Sequence, residues 1–257
     1  MKTAFGRDDE KAKRMVLHAI NFITEKLEMD IGGINLSILF SEDYAGDTAA
    51  VHFQPGQNGN ENGIFIPEFY QKEQVRERNI PIIIINWGKL SKLKTPMKDT
   101  FLVSVIVHEL VHYYDYCVTY PSCIVERYGK VLENGARGSL EGYIGGYFLY
   151  RSELRAKFYQ ETYILTSERV ACTLANLSKK ATKIEASYYS LAHARGELLC
   201  WKSLLESSFL PDEMEMQAFL AKREQAISQV ETGRYVNLAE LFELEPFFTY
   251  CDSIKLE

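Results

Sequence analysis

The sequence predicts an α+β protein, helical at its start, with a small sheet next and helices thereafter. Three observations carry this. Apolar residues recur at helical spacing over about residues 8–29. Short alternating and β-branched runs are confined to residues 34–86. After residue 95 every periodic segment has the helical period of about 3.6.

The first helix opens at Asp8-Asp9 and runs to about Met29. Its stripe is Ala12, Met15, Val16, Ala19, Ile20, Phe22, Ile23 and Leu27. Gly32-Gly33 ends it. Ile34–Phe40 then alternates like a half-buried strand. Thr48–Phe53 and Gly63–Ile66 are two further strand candidates. The Gly/Asn-rich stretch 54–63 between them predicts a mobile hairpin tip. Ile80–Asn86 is the most apolar run, and its β-branched side chains favour a strand.

Thr95-Pro96 places a capping residue before a proline at the first helical position, so a helix is expected from there to about Val118. Residues 121–145 hold five glycines and read as irregular. Helical spacing resumes near Gly146 and continues to about Lys179. Another helix spans about Ala181 to Ser207. A third starts at Pro211-Asp212-Glu213 and ends at Gly233, and Asn237 is positioned to cap a short last one. The division expected from this pattern is a mixed domain over 1–178 and a helical extension over 179–257.

Composition narrows the function. The 257 residues carry a formal net charge of −6, and basic residues alternate with acids instead of forming a stripe. A phosphate-tracking groove needs clustered Lys and Arg, so nucleic acid is not an expected partner. The five cysteines, Cys117, Cys123, Cys172, Cys200 and Cys251, form no CxxC pair, which points to isolated buried thiols in a reducing compartment. No apolar run approaches the roughly 18–20 residues that span a bilayer, and the N-terminus is too polar for a signal peptide. A cytoplasmic location without membrane insertion is the expectation.

Chemistry concentrates in Val107-His108-Glu109-Leu110-Val111-His112, which contains HExxH. Residues four apart lie on one helix face, one turn above the other. His108 and His112 can therefore share one metal ion. Glu109 lies about 100° round the helix, placed to take a proton from a water on that metal. A chance HExxH in a chain of this size has a probability on the order of 1%. The surrounding Leu102, Val103, Val105, Ile106, Val107, Leu110 and Val111 make the helix apolar on nearly all sides, so its polar residues need partners.

A catalytic zinc takes three protein ligands and keeps one position open. The extended motif HExxHxxGxxH is ruled out, because Val118 stands where its third histidine belongs and Asp115 where its glycine belongs. His18, His52 and His193 lie in no recognisable ligand setting. A carboxylate from a second helix is the better candidate, in Ser152-Glu153-Leu154-Arg155-Ala156, where small Ala156 permits close helix packing. Glu141 and Glu161 are rivals to Glu153. Asp115, one turn after His112, is placed to accept a ligand imidazole's free N–H. Arg155 and the many nearby tyrosines are candidates for stabilising an oxyanion.

His108-Glu109-Leu110-Val111-His112-Tyr113-Tyr114-Asp115, followed by Ser152-Glu153-Leu154-Arg155-Ala156, resembles the gluzincin-type zinc metallopeptidases. It is especially similar to the mitochondrial ATP-synthase-assembly peptidases, which pair HELIHxxD with SEIRA or SEVRA. It is more loosely similar to mobile-element metallopeptidases that cleave immunity repressors. The resemblance covers about 60 residues, and the connecting segment is longer and richer in glycine than in the assembly peptidases. It implies a zincin-like fold, a small sheet packed on the HExxH helix and on a second ligand-bearing helix. It further implies one zinc per chain on His108, His112 and Glu153, Glu109 as general base, and a protein or peptide as substrate. The alternative is an inactive zincin-like binding or regulatory protein, against which intact Glu109 argues. A helical interaction protein with an accidental motif is a third possibility, and a metal assay separates it from the others.

Overall fold

The computed structural model describes residues 10–28, 35–52, 61–73, 80–94, 97–119, 140–167, 184, 188–206 and 213–234. Within them the chain is mixed α and β, mostly helical, with one three-stranded sheet. It divides into two compact units, Met1–Val170 and Ala171–Glu257. The boundary expected at 178/179 lies outside the described residues. No helix among the described residues is long and apolar enough to cross a membrane.

In the first unit, α1 (Glu10–Leu27) carries the expected stripe, and Ala12, Met15, Val16, Ala19 and Ile23 are buried. Strands β1 (Ser37–Ser41), β2 (Gly63–Ile66) and β3 (Ile82–Asn86) form a sheet in the order β1-β3-β2. β1 runs parallel to β3, and β2 runs antiparallel to it. The continuous apolar run of β3 follows from its central position, since both its faces are covered. Ile83 and Ile85 join the core shared by α1 and the HExxH helix. Ile84, with Ile82 beside it, joins a smaller cluster with Tyr44, Ile66 and Tyr70.

Thr48–Val51 is not a strand. It belongs to helix α2 (Tyr44–Val51). The Asp43 side chain accepts from Gly46 N–H at 3.1 Å and caps that helix, and Ala49-Ala50 favour it. Phe53 and nearly all of the 54–63 stretch lie outside the described residues. A short helix α3 (Trp87–Leu90) follows β3 directly, capped by Asn86, whose Oδ1 accepts from Lys89 N–H at 3.1 Å. Gly88 permits this sharp exit, because a Cβ there would stand 2.6 Å from the Glu42 carbonyl oxygen.

The HExxH helix is α4 (Lys98–Tyr114), and Leu102 through Tyr113 are all buried. Met97 stands before its first residue without a side-chain cap, while Thr95-Pro96 lie outside the described residues. The expected run to Val118 is helical but changes type, because the turn widens to a π-helix over Asp115–Thr119. Helix α5 (Leu140–Ser167) starts earlier than Gly146. Gly142 and Gly145 lie inside it. A helical glycine costs only about 1 kcal/mol relative to alanine, and extending an existing helix is far cheaper than nucleating one. Ala156 is fully buried in the core with α4 residues.

The second unit contributes α6 (Tyr188–Glu206) and α7 (Glu213–Arg234). Trp201, Leu191, Leu198, Leu220 and Ile227 are buried within it. Arg223 lies over the Trp201 ring at 5.8 Å and pairs with Glu197 at 3.4 Å. α6 begins at Tyr188 rather than Ala181, and Gly233 does not terminate α7. Asn237 and the end of the helix expected to reach Lys179 lie outside the described residues. Cys200 is buried, but Cys117 is exposed, against the expectation of buried thiols, and the other three cysteines are not among the described residues.

Candidate metal centre

The geometry begins with the helical repeat. One turn apart on α4, the His108 and His112 rings meet edge to face at 83°, with centroids 4.7 Å apart. Their Nε2 atoms are 3.1 Å apart. Helix α5 brings the third donor. One Glu153 carboxylate oxygen lies 3.4 Å from His108 Nε2, and the other lies 3.5 Å from His112 Nε2. Among the described residues these three form the one group of such side chains able to hold a metal ion.

The separations fit zinc. Tetrahedral ligands at zinc–nitrogen and zinc–oxygen distances near 2.0–2.1 Å stand roughly 3.3–3.4 Å from one another. Electrostatics favour a cation at the same point. Burial alone would depress the His112 pKa, but the charge and hydrogen bond of Glu153, with Glu109 and Asp115 behind it, raise it to about 9. The field that holds a proton on the imidazole equally attracts a metal ion.

Glu109 is buried beside the cluster and is not one of its ligands. Burial pushes its carboxyl up, and Glu153 pushes the same way; nearby His112 and a hydrogen bond from Phe65 N–H oppose them, leaving it at about 7. Strand β2 makes this contact possible. Asn86 N–H donates to Asn62 O at 2.9 Å, so antiparallel alternation turns the backbone groups of Ile64 and Ile66 towards β3. Those of Gly63 and Phe65 point out from the sheet edge. Gly63 also lets the strand approach closely, because a Cβ there would stand 3.0 Å from Glu109 Oε1.

Asp115 is fully buried at the first residue of the π-helical turn. It forms an ion pair with Arg155 and accepts a hydrogen bond from Ser152. Burial raises its carboxyl, and Arg155, Ser152, His112 and Arg151 pull it down, to about 6. His112 Nδ1 contacts Ser152 Oγ, at 2.7 Å. Residue types alone do not mark Ser152, Gly63 or Phe65 as part of this site. Ser152 had a visible signal, its place beside Glu153 on the helix predicted to face His112.

The alternatives fall elsewhere. Glu161 is buried further along α5, outside the cluster. The Glu141 side chain is outside the described residues. His18 is exposed, His52 bridges to Gln71, and His193 stacks on Tyr189 with centroids 4.0 Å apart. Arg155, considered for an oxyanion, is engaged with Asp115. Tyr113 and Tyr116 pack on Phe65. Comparisons with family models, curated proteins and solved structures find no match for this chain.

Proposed function

We propose that this protein is a zinc metallopeptidase of gluzincin type on a zincin-like scaffold. The observation that carries the proposal is the convergence of His108, His112 and Glu153 within ligand-to-ligand distances, with Glu109 buried beside them and outside the ligand set. His108, His112 and Glu153 would hold one zinc, which when bound polarises a carbonyl and lowers the pKa of a water.

The chain's own residues do the rest. Glu109 takes the proton of the attacking water and returns it to the leaving amine. Its burial, which raises the carboxyl above the ordinary carboxylate range, suits a group that must both accept and release a proton. An extended peptide adds to the β2 edge, where Gly63 turns its backbone groups outward and Phe65 its carbonyl, the Phe65 N–H being held by Glu109. β3 is the central strand, paired on both sides, and has no room for one.

The test pairs zinc content with cleavage rate for wild type and Glu109→Gln. Glutamine keeps the shape but cannot accept the proton. Zinc is expected to stay near one per chain while turnover falls at least about 10²–10⁴-fold. Zinc without cleavage in the wild type would favour a binding or regulatory protein. Loss of zinc in the variant would make Glu109 a ligand.

A further inference from the structure

Ser152 is fully buried between two ionisable groups. Its Oγ lies 2.7 Å from His112 Nδ1, and its hydroxyl hydrogen-bonds the Asp115 carboxylate. Asp115 is paired in turn with Arg155, one turn along α5 from Ser152. Residues three apart share a helix face. Ser152 and Arg155 thus grip Asp115 together, while Glu153 between them reaches the two Nε2 atoms.

Proton counting fixes the direction of every bond in this chain of contacts. The Arg155 guanidinium only donates and stays charged. It holds Asp115 as a carboxylate, which only accepts. The Ser152 hydroxyl has a single proton, and that proton goes to Asp115. What Ser152 offers His112 is an oxygen lone pair, so Nδ1 must be the donor. In the neutral ring Nε2, the atom 3.1 Å from its His108 counterpart, is then left with its lone pair for the metal.

Resting on the metal centre proposed above, we infer that Ser152 is a positioning residue. Held by Asp115 and Arg155, it fixes His112 in the tautomer whose Nε2 faces the metal. Asp115 acts on the ligand through Ser152 and not by direct contact.

Zinc affinity of wild type, Ser152→Ala and Ser152→Thr is measured by competition with a chromophoric chelator. Long-range ¹H–¹⁵N correlation of zinc-loaded, histidine-labelled protein reports the His112 Nδ1 proton. Ser152→Ala is expected to bind zinc about 10–100-fold more weakly and to lose the slowly exchanging Nδ1 proton seen in wild type. Ser152→Thr, which keeps the hydroxyl, is expected to recover most of the affinity. Wild-type affinity in Ser152→Ala overturns the inference and leaves the metal centre standing. So does a zinc-loaded wild type without an Nδ1 proton on His112, or a folded Ser152→Thr as weak as the alanine variant. A wild type that binds no zinc overturns the metal centre and the role of Ser152 with it. Should Ser152→Ala fail to fold, Asp115→Asn carries the test. A neutral amide no longer dictates the hydroxyl's direction, so zinc binding weakens about tenfold, and unchanged affinity overturns the inference.

Discussion

Two histidines one helical turn apart cannot close a metal site alone; a third donor must arrive from elsewhere in the chain. Glu153 and Glu161 stand on the same helix, about two turns apart, and both carry carboxylates into the protein interior. Only Glu153 comes within reach of both Nε2 atoms. Glu153→Ala is therefore expected to lose most of its zinc, while Glu161→Gln keeps about one per chain, as elemental analysis of the purified variants will show. Retained zinc in Glu153→Ala would move the third ligand elsewhere. Ser152 illustrates a different residue-scale point. A small hydroxyl has no sequence signature of its own, and its role appears only when a histidine and a carboxylate close on it from another helix.

Among the elements, β2 is the one whose placement matters most for chemistry. It is a four-residue edge strand, antiparallel to a central strand buried on both faces, and it lies against Glu109. Gly63→Ala would bring a Cβ to 3.0 Å from Glu109 Oε1, 3.1 Å from its Cγ and 3.2 Å from Ile85 Cδ1. Those contacts are tight enough to displace the carboxyl. Turnover is expected to fall about 10–100-fold with zinc content unchanged, and a wild-type rate would show that Glu109 has room to yield. The strand's edge position leads to a second expectation. Hydrogen exchange of the Glu109→Gln protein with a bound peptide should slow over Gly63–Ile66 and stay unchanged over Ile82–Asn86, whose partners are already in place. Slowing confined to residues 180–257 would reject strand addition.

At the scale of the molecule, all three proposed ligands belong to the unit Met1–Val170 and come from two helices with a long segment between them. An ion held by both helices joins them in the folded state and not in the unfolded one. At a free zinc concentration a hundredfold above Kd the linkage is worth about 2.7 kcal/mol, or roughly 5–10 °C in thermal midpoint for a domain of this size. Chelation is expected to lower the midpoint of wild type by that amount. The midpoint of His108→Ala should not respond to the chelator, and scanning calorimetry of both proteins with and without it checks the difference. An equal response in both would place the stabilising ion at some other site.

The helical spacing of HExxH, the burial of α4 and the β-branched run of β3 were all legible from residue types alone, because each is a local periodicity set by the backbone repeat. So was the pairing of His108 with His112. The glycines of α5 and the segment Thr48–Val51 misled, since local propensity is weak beside a capping aspartate or an existing helix. Sheet order was not legible at all: Gly63–Ile66 and Ile80–Asn86 both look like strands, and only pairing decides which one is the edge. The same holds for Glu153 over Glu161, and for Ser152 standing between His112 and Asp115. Sequence by itself determined which groups this protein can offer a metal ion. Tertiary structure alone decided which of them meet, because contacts between residues far apart in the chain depend on how helices and strands pack, and no local repeat encodes that.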